Sequence, residues 1–299
     1  MAILLSKKTR VLVQGITGKE GYHALTAMRT YHTNVLCGVA PYKGGTFIDE
    51  IPVFDSVREA KQSFPELNAS LLVVPPRAVK EAAIEAIAAK IPLLVIVVER
   101  VPIQDTAIIL AIAHEAGTRI IGPASIGILA PEIGRLGLLG GPTPEAIYRP
   151  GSVGIISRSG AMTNELSWIF HQQNMGQSTA IGIGGDFLIG TAYTELLEEF
   201  EKDPQTEATA IFGEVGGSHE QEIITGKESG IITKPVAIYI GGTSSAYLPS
   251  ETPLGHAGAL LDRGMGNIET KKEALQKAGI LVADEVYDLP FLVKKAIHP

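Results

Sequence analysis

At 299 residues the chain exceeds the roughly 100–200 residues of one domain, so two domains are expected. With 25 basic against 32 acidic residues and a net charge of −7, it carries no basic excess for a nucleic-acid or anionic-membrane partner. A single cysteine, Cys37, excludes an internal disulfide and a Cys-rich metal site; lying in an apolar run, it reads as a buried, reduced thiol.

In chain order, short apolar runs rich in Val, Ile and Leu recur at 10–14, 34–40, 70–75, 92–98 and 118–123. Helical spacing of apolar residues falls between them at 77–90, and at 103–116 after Pro102. That alternation predicts βαβ units and a parallel sheet, hence a Rossmann-like first domain over 1–123. Residues 124–150 are rich in Gly and Pro without a sustained period and are expected to form a linker or crossing segment. Alternation resumes with strands at 152–157, 178–184, 208–214, 235–242 and 279–283 and helices such as 161–173 and 268–278. A second doubly wound domain over 151–299 is therefore expected. The longest apolar runs are strand-length and the N-terminus is too short for a signal segment, so a soluble cytoplasmic chain is expected.

In open α/β sheets ligands sit beyond the carboxyl ends of strands, so the turns there carry the candidate chemistry. "VQGITGKEGY" (13–22) ends a strand and opens a helix, whose free N–H groups and partial positive charge suit a phosphate. Its glycine spacing is GxxGxxG rather than the GxGxxG of dinucleotide folds. Where a ribose-binding acid would stand, the next strand is followed by Lys43, which disfavours an NAD-dependent dehydrogenase. Lys43, between Pro41 and Gly44-Gly45, is either a surface lysine or a partner for a 3′-phosphorylated nucleotide such as coenzyme A.

"SRSGAMTNE" (157–165) repeats the device in the second half, where Ser159 and Gly160 either cap a helix or present N–H groups to an anion. "GIGGD" (182–186) and "GEVGG" (213–217) place carboxylates beside glycines at strand ends, with Glu214 well placed to act on a ligand. His256, in "PLGHAGALL", has no histidine partner at metal-ligand spacing, and no GxSxG elbow accompanies it. It is either a satisfied structural histidine or, given the clearance of flanking small residues, a carrier of a bulky group.

Together, "VQGITGKEG", "KGG" (43–45), "VGIISRSG", "GQSTAIGIGGD", "FEKDPQTEA", "GEVGG", "TKPV" and "GHAGA" resemble, over essentially the whole chain, the alpha subunit of succinyl-CoA synthetase. The resemblance implies a Rossmann-like CoA-binding domain followed by a flavodoxin-like ligase domain, and a phosphoryl relay. In it, ATP or GTP with Mg2+, bound mainly in a partner beta subunit of ATP-grasp type, phosphorylates the residue matched by His256. The phosphate passes to a carboxylic acid, and the CoA thiol attacks the acyl phosphate. By the same resemblance Thr17, Gly18, Lys19, Glu20, Lys43, Val97, Val98 and Glu99 bind CoA, Glu214 holds the imidazole, and Ser159 with Gly160 face the phosphate. No metal ligand is implied for this chain, and the assembly implied is a heterodimer or heterotetramer.

Several stretches depart from the succinate-specific pattern. "IGPASIG" (121–127) replaces Asn and Cys by Ala124 and Ser125, Asn164 stands where the family has a tyrosine, and "SSAYLPSETPLGH" (244–256) lacks the usual basic residues. With "YRPGSV" and "SGAMTNEL" these resemble ATP-citrate lyase and the small subunit of citryl-CoA synthetase. Because most of the chain resembles the succinate enzyme, succinate remains the expected acid, with citrate or another bulky acid the alternative. On the residues alone, Asn164 is expected to make room for a bulkier acid and offer it an amide. A catalytically silent CoA-binding protein is the remaining alternative, opposed by the intact "GHAGA".

Overall fold

The computed structural model describes residues 2–214, 219–242 and 268–298. The first half runs β1 (Val11–Gln14), α1 (Lys19–Thr30), β2 (Val35–Val39), β3 (Phe47–Ile48), β4 (Ile51–Phe54), α2 (Val57–Ser63), β5 (Ala69–Leu72), α3 (Val79–Ala88), β6 (Leu93–Ile96), α4 (Ile103–Ala116) and β7 (Arg119–Ile121). Its sheet has the order β3-β4-β2-β1-β5-β6-β7, parallel except for β3, which pairs antiparallel with β4. Strands β1, β5 and β6 are buried at every position because helices cover both faces, which is why they read as unbroken apolar runs. Val11 and Val13 enter one core cluster and Leu12 the opposite one, following the two-residue period of a strand.

The second half runs β8 (Gly127–Ala130), β9 (Gly134–Gly137), β10 (Pro150–Ser157), α5 (Gly160–Gln172), β11 (Gln177–Gly182), α6 (Tyr193–Lys202), β12 (Ala208–Glu214), α7 (His219–Glu228), β13 (Val236–Gly241), α8 (Ile268–Lys277), β14 (Leu281–Val282) and α9 (Leu289–Ile297). The sheet order is β14-β13-β12-β10-β11-β8-β9. Omitting the edge hairpin, its parallel strands follow the 2-1-3-4-5 order of flavodoxin-like folds, while the first sheet follows the Rossmann order 3-2-1-4-5-6. The directions of chain winding thus reverse between β1 and β5 and between β10 and β12. These two crevices are where ligands of such sheets bind.

Two hairpins depart from the expected pattern. Residues 124–150, expected as a linker, instead carry β8 and β9, which extend the second sheet antiparallel to β11. Glycines fill this hairpin because its strands approach too closely for side chains: a Cβ on Gly127 would lie 2.1 Å from the Leu136 carbonyl oxygen. The β3–β4 hairpin was absent from the five-strand expectation because Asp49 and Glu50, with φ of 44° and 70°, make its turn where Asn-Gly is the usual signal.

The halves share a core. One apolar cluster contains Val11 and Val13 of the first sheet and Ile156, Ile181 and Ile238 of the second. The segment before β1 crosses over, its Ile3 N–H donating to Thr179 Oγ1 on β11 at 3.2 Å. In return β9 sends the fully buried Arg135 to the end of α1. Its Nε donates to the Ala27 carbonyl at 2.7 Å, its Nη2 also reaches that carbonyl, and its Nη1 donates to the Leu139 and Gly141 carbonyls at 2.8 and 2.7 Å.

Candidate functional site

At the first crevice, Gly15 turns the chain out of β1 with φ +87°, and a Cβ there would lie 2.5 Å from the Val73 carbonyl oxygen beyond β5. Gly21 lets α1 press onto this turn, where a Cβ would meet the Gly15 carbonyl at 2.1 Å. The N-cap of α1 is Gly18, so no side chain caps its first N–H groups. Thr17, Gly18, Lys19 and Glu20 are all exposed here. An uncapped helix start at a switch point is suited to phosphate.

The loop after β2 brings Lys43 to the same edge. Its backbone is held by Gly44 N–H donating to Asp55 Oδ1 at 2.8 Å and by Thr46 Oγ1 donating to the Lys43 carbonyl at 2.6 Å. The side chain is exposed and makes no ion pair among the described residues. Val97 and Val98, half-buried, and exposed Glu99 follow β6, and the Val98 carbonyl accepts from Ala124 N–H at 2.8 Å. The structure thus collects every expected CoA-binding residue at the carboxyl ends of β1, β2 and β6. A cavity of 760 Å³ lined by Lys7, Arg10, Arg29 and His32 lies at the amino ends of β1 and β2 and includes none of these residues.

At the second crevice the turn after β10 is knitted by Ser157, whose Oγ accepts from Ser159 N–H at 3.0 Å. Ser159 caps α5, accepting from Met162 N–H at 3.4 Å, and Gly160 opens the helix. Between the serines, Arg158 is 3% exposed. Its Nε lies 3.7 Å from Glu214 Oε2 and its Nη2 donates to the Asp186 carbonyl at 2.7 Å. The α5 start, Arg158 and Glu214 therefore meet where β10 and β12 part.

Behind Glu214, Glu220 Oε1 accepts its backbone N–H at 3.3 Å, Lys271 Nζ donates to its carbonyl at 3.2 Å, and Lys271 pairs with Glu220 Oε2 at 2.8 Å. The neighbouring His219 is held below the ordinary histidine range, first by burial and then by the Arg158 charge. Burial also drives the Tyr193 hydroxyl well above its ordinary range. Sequence reasoning missed Arg158, Glu220 and Lys271. The available signal was an arginine directly following the apolar run that ends β10, whose last five residues are buried, where a charge requires a partner.

Asn164 sits one turn into α5, but its Oδ1 accepts from Gly140 N–H at 2.9 Å and from the Tyr148 hydroxyl at 2.8 Å. The expectation that its small size leaves room and a free amide for a bulky acid is corrected in this respect: buried Tyr148 stands beside it, and its carbonyl is committed within the chain. His256, with the rest of "GHAGA", and the glycines at 216 and 217 lie outside the described residues. Among the described residues no group of three or more His, Cys, Asp or Glu side chains is placed to hold a metal ion, and no helix is long and apolar enough to cross a membrane. Cys37 is buried, and burial pushes its thiol up to about 12.

A family model for the CoA binding domain matches residues 6–100, and one for CoA-ligase matches residues 156–281. The chain is 40% identical over 282 residues to the succinate–CoA ligase [ADP-forming] alpha subunit of Methanothermobacter thermautotrophicus, covering 94% of this chain and 92% of that protein. It is 36% identical over 287 residues to an ADP-forming sulfoacetate–CoA ligase subunit of Acholeplasma sp, covering 95% and 94% respectively. Among solved structures, ATP citrate lyase from Methanothrix soehngenii in complex with citrate and coenzyme A superposes with a TM-score of 0.90 at 27% identity. That match covers 99% of this chain, which spans 50% of the longer lyase chain.

Proposed function

The chain belongs to the family of succinate–CoA ligase alpha subunits, and from that premise we propose that it is the CoA-binding, phosphoryl-carrying subunit of an ADP-forming acid–CoA ligase, with succinate as its acid. It works with a beta subunit of ATP-grasp type, in a heterodimer or heterotetramer, which binds ATP or GTP with Mg2+. A ring nitrogen of His256 attacks the terminal phosphorus of the nucleotide, the bond to the bridging oxygen breaks, and the nucleoside diphosphate leaves. A carboxylate oxygen of the acid then attacks that phosphorus. The P–N bond breaks, restoring the imidazole and giving an acyl phosphate. The CoA sulfur, its proton lost to solvent, attacks the acyl carbon, and inorganic phosphate departs as the C–O bond breaks.

Glu214 accepts the hydrogen of the other imidazole nitrogen, fixing the tautomer and stabilising the cation that forms on phosphorylation. Ser159 and Gly160 set the α5 start toward the phosphoryl group, and Arg158 adds a buried cation beside it. In the first domain the α1 start over 17–20 takes the pyrophosphate, Lys43 the 3′-phosphate, and 97–99 flank the rest of CoA. The observation that carries this proposal is the meeting of Glu214, Arg158 and the α5 N-terminus at the switch point of the ligase domain.

The test is thioester formation from CoA, ATP and a panel of succinate, citrate, sulfoacetate and malate, with the beta subunit supplied, alongside phosphate labelling of the chain. Base-stable, acid-labile label lost in His256→Asn supports the relay, and equal labelling of that variant refutes it. The similarity to ATP citrate lyase and the substitutions at Ala124 and Ser125 favour citrate as a second reading. The kcat/KM ranking across the panel decides between the acids.

A further inference from the structure

The proposed work of Glu214 depends on where its carboxylate points, and we infer that Glu220 and Lys271 are positioning residues that fix it by clamping the Glu214 backbone. Glu214 is the last residue of β12, paired with Gly241 at the end of the β13 ladder. At such an end a peptide can turn about its bonds unless something beyond the sheet holds it. Here Glu220, in the first turn of α7, takes the N–H, and Lys271, from α8, donates to the C=O.

The two side chains also bond to each other at 2.8 Å, closing a ring around one residue, and both are nearly excluded from water, with exposures of 4% and 11%. Such a buried pair is a poor device for stability alone, since apolar replacements of similar volume often serve as well or better. A device that holds the N–H and the C=O of one residue, and so both peptide groups that flank its Cα, is instead suited to fixing the side chain that residue carries. With the backbone set from behind, Arg158 meets the carboxylate from the carboxyl end of the neighbouring strand β10 at 3.7 Å. Neither Glu220 nor Lys271 has to touch the phosphoryl group for this.

This inference rests on the role proposed for Glu214, and the experiment separates the two. With the beta subunit present, single-turnover phosphorylation of His256 is followed in Lys271→Met, Glu214→Gln and their double variant, with assembly, circular dichroism and CoA affinity measured on each. Loss of ångström-scale placement costs up to about 100-fold in rate, so Lys271→Met is expected to slow labelling roughly 10- to 100-fold. CoA affinity should stay unchanged. Lys271→Gln, which keeps a donor for the Glu214 carbonyl, should restore most of the rate. In the Glu214→Gln background, Lys271→Met should bring no further loss, because there is no carboxylate left to position.

A folded Lys271→Met that labels at the wild-type rate, or losses that multiply in the double variant, overturns the inference while leaving the role of Glu214 intact. Glu214→Gln labelling at the wild-type rate removes that role and the inference with it. If Lys271→Met does not assemble, Glu220→Gln carries the same criteria, since it preserves side-chain shape and severs the charge that holds Lys271.

Discussion

Replacing Lys43 by Ala isolates one phosphate contact. The ammonium pairs with nothing among the described residues, while the loop beneath it is fixed by Gly44 N–H on Asp55 and by Thr46 on the Lys43 carbonyl, so the substitution should leave the thermal midpoint unmoved. The effect is then confined to binding. A hydrogen bond to a charged group contributes about 1.5–3 kcal/mol, and exposure of the lysine to solvent argues for the lower end. About 1.5 kcal/mol corresponds to roughly a tenfold loss of CoA affinity. Dephospho-CoA, identical but for the 3′-phosphate, should bind wild type and variant alike. Calorimetric titration of both ligands into both proteins reads the difference, which should shrink with added salt as the contact is screened. Equal losses for the two ligands would refute the assignment of Lys43 to the 3′-phosphate.

Arg135→Met leaves the carbonyls of Leu139 and Gly141 without the guanidinium that meets them, while Ala27 keeps the Thr30 hydroxyl, and should destabilise the chain by about 1–3 kcal/mol for each stranded carbonyl, seen as a lower midpoint in urea. Asn164→Leu strands Gly140 N–H and the buried Tyr148 hydroxyl, at about 1–3 kcal/mol for each, whereas Asn164→Asp keeps both acceptor sites and should unfold closer to wild type in the same titration. Cys37 should resist iodoacetamide at mildly alkaline pH until the protein is unfolded. Because the folded thiol keeps its proton up to about 12 while the unfolded one loses it at its ordinary, lower pKa, the unfolded state binds fewer protons in that window and stability should fall as pH rises through it.

Much of this fold was legible in the sequence because buried parallel strands and their cover helices obey simple rules. α4 starts at Ile103 after Pro102 and ends at Ala116 before Gly117 with φ 70°, each boundary marked by the residue suited to it. The strand-end turns could be found for the same reason, and with them Gly18, Lys43, Ser159 and Glu214. The β8–β9 hairpin was hidden because close strand approach demands glycine, which in sequence reads as loop. The setting of Glu214 was hidden because it is topological: Lys271 stands 57 positions away and meets it only once α7 and α8 pack together. For Asn164 the residue type was informative about polarity, but not about which donors, Gly140 and Tyr148, would reach it first.

The crossing of the N-terminal segment onto β11 bears on how the chain acquires its structure. Ile3 and Thr179 are 176 positions apart, and the cluster that buries Ile3 and Leu5 also draws on Ile181, Ile211 and Ile238. A Rossmann-like half emerging first from the ribosome therefore lacks the surface that closes over its own beginning. Contacts of such sequence separation slow folding, since the long loop must be closed before they form. A nascent chain stopped after β7 should expose Ile3 and Leu5 to protease, and that protection should appear only when β11 has been made.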